Sequence, residues 1–198
     1  MLRDCHTHNL NSTDGIISIN PGFTYFLPDK HYSCGIHPWI EEQSPDIIDS
    51  LITTLNNPQI IAVGEAGLDR LKGLSLEIQT KIFLKQIELS EQLSLPIIIH
   101  SVRTSSELLH LKKTINPSQP WIFHGFRGGY LQAKQLSDAG FYISIGEKFN
   151  YDAIKAIPDN LLLLETDESK LTIQEIASRV KPDALKISTY NLNNLLNK

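Results

Sequence analysis

Two cysteines and one methionine in 198 residues leave little room for a disulfide framework or a thiol-rich metal knuckle. Cys5 and Cys34 both lie in apolar surroundings, and a reduced, buried pair is the simplest reading. A role for Cys5 near a site stays open, because it adjoins the first histidine motif. Long apolar runs are also missing. The longest, Leu95–Ile99 and Leu161–Leu164, fall far short of the roughly 20 residues that cross a bilayer, so no membrane association is expected. The opening MLRDCHTHNL has one Arg and no apolar segment of the secretory kind, which leads us to expect a cytoplasmic protein. Nor is there a basic excess: 18 Lys and Arg face 22 Asp and Glu, for a formal net charge of -4. That balance excludes a uniformly basic nucleic-acid footprint, although a local patch or a bound cation would still attract phosphate. Repeats, low-complexity tracts and Gly/Ser linkers are absent. With 41% hydrophobic and 20% charged residues, the chain reads as one globular domain over residues 1–198.

What is present is an alternation. Short β-rich runs at Leu2–Cys5, Ile16–Ile19, His31–Ile36, Ile60–Gly64, Pro96–Ile99, Trp121–Phe123, Phe141–Ile145 and Leu161–Glu165 are predicted strands. Several are apolar throughout, as strands covered on both faces should be. Helices are predicted between them: Pro45–Leu55 behind a Ser44 cap, Ser75–Leu93, Thr104–Lys113, Gly129–Ala139, Tyr151–Ala156, Thr172–Val180 and Pro182–Leu196. The clearest is Ser75–Leu93, with an apolar stripe of Ile78, Ile82, Ile87, Leu89 and Leu93. Gly140 is placed to end the helix before it. Eight strands alternating with helices point to an α/β fold, the (β/α)8 TIM barrel, in compact or slightly distorted form, because the usual length is about 250 residues. Between Ile19 and His31, Asn20, Pro21, Gly22 and Pro28 leave no room for a helix. A seven-stranded barrel and an open doubly wound sheet are the alternatives.

The chemistry sits where these strands end. His6 and His8 follow the first, Glu65 the fourth, His100 the fifth, His124 the sixth and Asp167 the last. All are ligand types for Zn²⁺ or a similar divalent ion, and in a barrel all parallel strands finish at the same rim, where active sites lie. His6 and His8, two apart, face the same side of an extended chain. Four histidines and two carboxylates exceed the needs of one tetrahedral ion, so a two-metal site bridged by Glu65 is expected. Asp167 ends the most apolar strand, where an uncompensated carboxylate is costly; it is the candidate to bind metal and to accept the proton of an attacking water, with Glu65 the second catalytic candidate. His31 and His110 fall outside the pattern. Trp39 is read as pocket wall, base-stacking group or simple packing, and Trp121 as core.

In order, the segments DCHTHN, CGIHPW, AVGEAGLD, LPIIIHS, FHGFRGG, GFYISIG and LLLLETD resemble the TatD family of metal-dependent deoxyribonucleases among the amidohydrolase-like barrels. The resemblance runs from about residue 1 to residue 170. It implies a TIM barrel with two divalent metals (Mg²⁺, Mn²⁺ or Zn²⁺) and phosphodiester hydrolysis, often from the 3′ end of DNA. It also implies that His6, His8, Glu65, His100, His124 and Asp167 are the metal ligands and that His37 lies near the substrate phosphate. Arg103 and Arg127 are read either as guanidinium groups that hold a phosphate bidentately or as solvated surface side chains. Single-stranded DNA, DNA 3′ ends or a small phosphoester are the expected partners. The chain is short for the family, and the long loop expected after LETDES is nearly absent. Two other functions stay open: an amidohydrolase-like enzyme acting on a small amide, lactone or phosphoester, and a non-catalytic metal-binding barrel. Where the former usually carries a bridging lysine, this chain has Glu65.

Overall fold

The computed structural model describes residues 1–40, 44 and 46–197. Eight strands lie in one sheet in sequence order: β1 (Asp4–Thr7), β2 (Gly15–Ile19), β3 (His31–Cys34), β4 (Ile60–Asp69), β5 (Ile97–Val102), β6 (Trp121–Phe123), β7 (Tyr142–Ile145) and β8 (Leu162–Leu164). The pairs β1–β2, β3–β4, β4–β5, β6–β7 and β7–β8 all run parallel. A doubly wound sheet would reverse its order at a switch point; this one does not, and the fold is of the (β/α)8 class. The helices are α1 (Ile47–Leu55), α2 (Leu76–Leu93), α3 (Ser105–Ile115), α4 (Tyr130–Asp138), α5 (Tyr151–Ile154), α6 (Ile173–Val180) and α7 (Ala184–Leu196). By its internal packing the chain divides into two compact units, Met1–Ile17 with Trp121–Lys198, and Ser18–Pro120.

In the first unit β8 is apolar on both faces and fully buried. Its register against β7 pairs Ile143 with Leu162 and Ile145 with Leu164. β1 meets the chain just after β8, where the Asp167 amide donates to the His6 carbonyl at 3.0 Å and the His8 amide to the Asp167 carbonyl at 3.1 Å. Helix α7 is joined to β8 by polar side chains. The Leu164 amide donates to Ser188 Oγ at 2.8 Å, and Asn191 Nδ2 donates to the Leu162 carbonyl at 2.9 Å. Thr172 and Glu175 close a capping box that starts α6, satisfying two of the amides a helix N-terminus leaves open. Gly140, at φ 75°, ends α4 as expected, with Phe141 bonding back to Leu136 at 3.1 Å.

In the second unit the stretch from residue 20 to 30 holds no helix. Phe23 and Phe26 pack on Tyr32, at 5.8 and 5.2 Å between ring centroids, and Gln59 Nε2 ties down the Leu27 and Lys30 carbonyls. The predicted start of the first helix at Pro45 lies outside the described residues. The part described runs from Ile47 with Asp46 at its cap. Helix α2 begins at the Ser75 cap, but its buried face differs from the predicted stripe. Gln79, Phe83, Gln86 and Ser90 lie inside with Ile82, Ile87 and Leu89, while Leu93 is exposed. The reason is hydrogen bonding: each buried glutamine serves backbone groups of a neighbouring segment. Gln86, for instance, accepts from the Ile36 amide at 2.7 Å and donates to its carbonyl at 3.1 Å.

Candidate metal centre

Each unit carries its own cluster of histidines and carboxylates. In the first, His6 lies within β1 rather than after it, and is fully buried. His8 follows the strand, and the two-residue spacing puts both rings on one side, 5.0 Å apart in an edge contact. Both approach Asp167: His6 Nε2 at 3.8 Å and His8 Nε2 at 3.6 Å from Oδ1. Asp167 itself stands at φ 52°, the left-handed region that Asp and Asn tolerate better than most residues. His124, next after β6, lies 4.5 Å from the His6 ring and brings Nδ1 to 3.3 Å from Glu165 Oε1. The ligand atoms of His6, His8 and Asp167 lie within 4.8 Å of one another, as do those of His124, Glu165 and Asp167.

Burial works to raise the Glu165 carboxyl, but His124, His6 and the Ser144 hydroxyl outweigh it and hold the group below its ordinary range. The anionic form is thus favoured beside the two histidines. Cys5 Sγ donates to Ser144 Oγ at 3.0 Å and points toward Glu165 Oε2 at 4.0 Å. Burial first, and then Glu165, push this thiol well up, which favours its neutral form. Asp4 supports the strand from below. Its Oδ1 accepts from the His6 and Thr166 amides, and its Oδ2 from the Thr166 hydroxyl at 2.5 Å. Burial pushes Asp4 up to about 7 against the pull of those hydrogen bonds.

In the second unit Glu65 lies inside β4, which continues to Asp69, and His100 lies inside β5. Glu65 Oε1 stands 2.8 Å from His100 Nδ1 and 3.1 Å from His37 Nε2. His37, Glu65 and His100 thus form a further set within 4.8 Å. The sequence had placed His37 beside the substrate rather than among the ligands; here it is in direct contact with the bridging candidate. Asp69, four residues beyond Glu65 on the same strand, meets the other nitrogen of His100 at 3.3 Å and accepts from Trp39 Nε1 at 2.6 Å. Burial acts to raise Asp69, and the bonds from Trp39, the Leu71 amide and His100 more than reverse it. Arg103, in this unit, and Arg127, in the first, are both exposed.

Asp69 and Glu165 are functional neighbours that the sequence did not single out, and Trp39, for which wall, stacking and packing roles were open, is tied to the cluster through Asp69. Glu65 and Asp69 share one face by strand alternation, a signal lost once the strand was ended at Gly64. Glu165 was absorbed into the apolar run before it. As to chemistry, the donors are imidazoles and carboxylates in threes, with outer carboxylates (Asp69, Glu165) contacting the histidines. That is the arrangement that fixes ring orientation around divalent ions, and the residues present fit such a group.

Parallel strands in sequence order, with clusters of metal-ligating residue types at and near their carboxyl ends, define the class as a β/α barrel. A profile of the TatD related DNase family matches residues 25–197. The chain belongs to that family. An uncharacterized metal-dependent hydrolase of Haemophilus influenzae is 33% identical over 166 residues, covering 76% of this chain and 63% of that protein. The 3′-5′ ssDNA/RNA exonuclease TatD of Salmonella typhimurium is 30% identical over 158 residues, covering 74% and 61%. The chain therefore spans less than two thirds of the length of either relative. The crystal structure of YjjV, a TatD homologue of Escherichia coli, superposes with a TM-score of 0.75 at 24% identity over 91% of this chain and 83% of that one. That likeness shows the fold. Among the described residues no helix is long and apolar enough to cross a membrane.

Proposed function

We propose that this protein is a metal-dependent phosphodiesterase that removes nucleotides from the 3′ ends of single-stranded DNA or RNA. The observation that carries the reading is the pair of three-residue donor sets, His6–His8–Asp167 in one unit and His37–Glu65–His100 in the other, each within 4.8 Å. One divalent cation per set accounts for both. Two imidazoles and one carboxylate suit Zn²⁺ or Mn²⁺ better than Mg²⁺, which prefers all-oxygen surroundings. Cations held there supply Lewis-acid charge to the phosphoryl group and lower the pKa of water toward neutrality.

The protein's own part follows from its geometry. Asp167 is the half-exposed carboxylate of its cluster, and so the one that water reaches; it takes the proton as water oxygen bonds to phosphorus and the P–O bond to the leaving 3′ oxygen breaks. Glu165 and Asp69 hold His124 and His100 in place. Arg103 and Arg127 offer exposed guanidinium groups to non-bridging phosphate oxygens. The relatives named as metal-dependent hydrolase and as ssDNA/RNA exonuclease support the same reading.

The test is a 5′-labelled single-stranded oligonucleotide incubated with Zn²⁺, Mn²⁺ or Mg²⁺, beside a panel of small phosphoesters and lactones. Stepwise shortening is expected, abolished by chelator and reduced about 10²–10⁴-fold in kcat by Asp167→Asn, a change the left-handed backbone accepts. Turnover of lactones alone would overturn the phosphodiesterase reading. No turnover with any metal, or full activity in Asp167→Asn, would overturn the mechanism.

A further inference from the structure

We propose that Trp39 and Lys72 form the seat on which one unpaired nucleobase stacks while its phosphate meets the ammonium group, an inference that rests on the nucleic-acid reading above. Trp39 is 45% exposed, unusual for so large an apolar ring, yet it is not loose. Its Nε1 donates to Asp69 Oδ2 at 2.6 Å, and its backbone amide donates to His37 Nδ1 at 3.1 Å. The indole stands edge-on to the ring of His37 at 4.7 Å and near that of His100 at 5.4 Å. A wet aromatic surface is thus fixed directly beside two candidate metal ligands.

Lys72 reaches over the indole, its Nζ 3.8 Å from the ring centroid. An exposed cation–π contact of this kind is weak, about 0.5–1 kcal/mol, so the ammonium is easily drawn to a phosphate while a base takes its place on the ring. The loop that brings Lys72 there is held firmly. Gln79 Nε2 donates to the carbonyls of Asp69, Lys72 and Leu74 at 2.9, 2.9 and 2.7 Å. Gly73, at φ 79°, packs so closely that a Cβ would fall 1.9 Å from the Pro38 carbonyl oxygen. The same packing that positions Lys72 therefore also backs Pro38 and Trp39. Stacking is blind to base identity and open only to bases already out of a duplex, so this seat selects single strands without selecting sequence.

The chain has two tryptophans, and Trp121 is fully buried, so indole emission that responds to a ligand at this seat comes from Trp39. The protein as purified is titrated with a hydrolysis-resistant phosphorothioate oligothymidylate, following both tryptophan emission and the anisotropy of a labelled copy. Saturable quenching that tracks the anisotropy is expected, and it should vanish in Trp39→Phe while anisotropy still reports binding. Trp39→Ala should weaken binding about 5- to 150-fold, the range of one lost base stack. Lys72→Gln should lower the slope of log affinity against log salt by about 0.7. Binding by anisotropy with Trp39 emission unmoved would overturn the seat and leave the nucleic-acid reading standing. Absence of any binding would overturn both.

Discussion

Gly67 shows how much of the second cluster depends on one missing methyl group. It lies in β4 midway between Glu65 and Asp69, at φ 143°, and a Cβ there would fall 2.1 Å from the His100 carbonyl oxygen. That oxygen belongs to β5 backbone paired with Gly67 itself, so neither partner can give way. Gly67→Ala should cost on the order of 3 kcal/mol, from strained φ and steric conflict together. It should also prise His100 from Glu65, so retention of added Zn²⁺ through dialysis should fall along with the urea midpoint. An alanine variant that kept both would refute this account of the strand. At this scale the sequence was legible for histidines, whose rarity and position after apolar runs mark them. It was less legible for carboxylates such as Glu165, which the run LLLLETD hides in an otherwise apolar context.

Helix α2 shows why an element can be placed correctly and its inner face misread. Periodicity found its span to within a residue, because Ser75 caps it and the apolar spacing is regular. Hydrophobicity alone then assigned Leu93 to the core and left Gln79 out, whereas burial was decided by backbone groups in need of partners. Gln79 also accepts from the Asp69 amide at 2.7 Å, so its amide group serves both directions of one loop. Gln79→Met preserves volume and leaves those groups unsatisfied; a loss on the order of 3 kcal/mol is expected. Hydrogen exchange separates this from a general loss of packing: the Asp69 amide should exchange faster while those in the middle of α2 keep their protection. Uniform acceleration across α2 would contradict it. Strand ends were misjudged for a related reason. β4 runs five residues past Gly64 because its glycines permit close pairing with β5, where propensity alone suggests a stop.

The strand order of the whole molecule followed from alternation alone, because parallel strands joined through helices have few ways to connect. Its division into two compact units left no mark in composition. Cys34 is buried in the second unit, and burial pushes its thiol from 9.0 up to about 12. Below pH 9 both folded and unfolded chains keep that proton; above it the unfolded chain loses its proton first, so stability falls from pH 9 toward 12. The decline in urea midpoint over that window should be shallower in Cys34→Ala, and an unchanged slope would show that the thiol plays no part. Cys5 is likewise buried and neutral, but in the other unit. Neither sulfur offers an alkylating reagent a thiolate while its surroundings stay shut. The molecule thus carries a built-in timer in each half: the pace at which iodoacetamide marks one cysteine or the other reports which half breathes first, and metal or oligonucleotide should slow the half it grips.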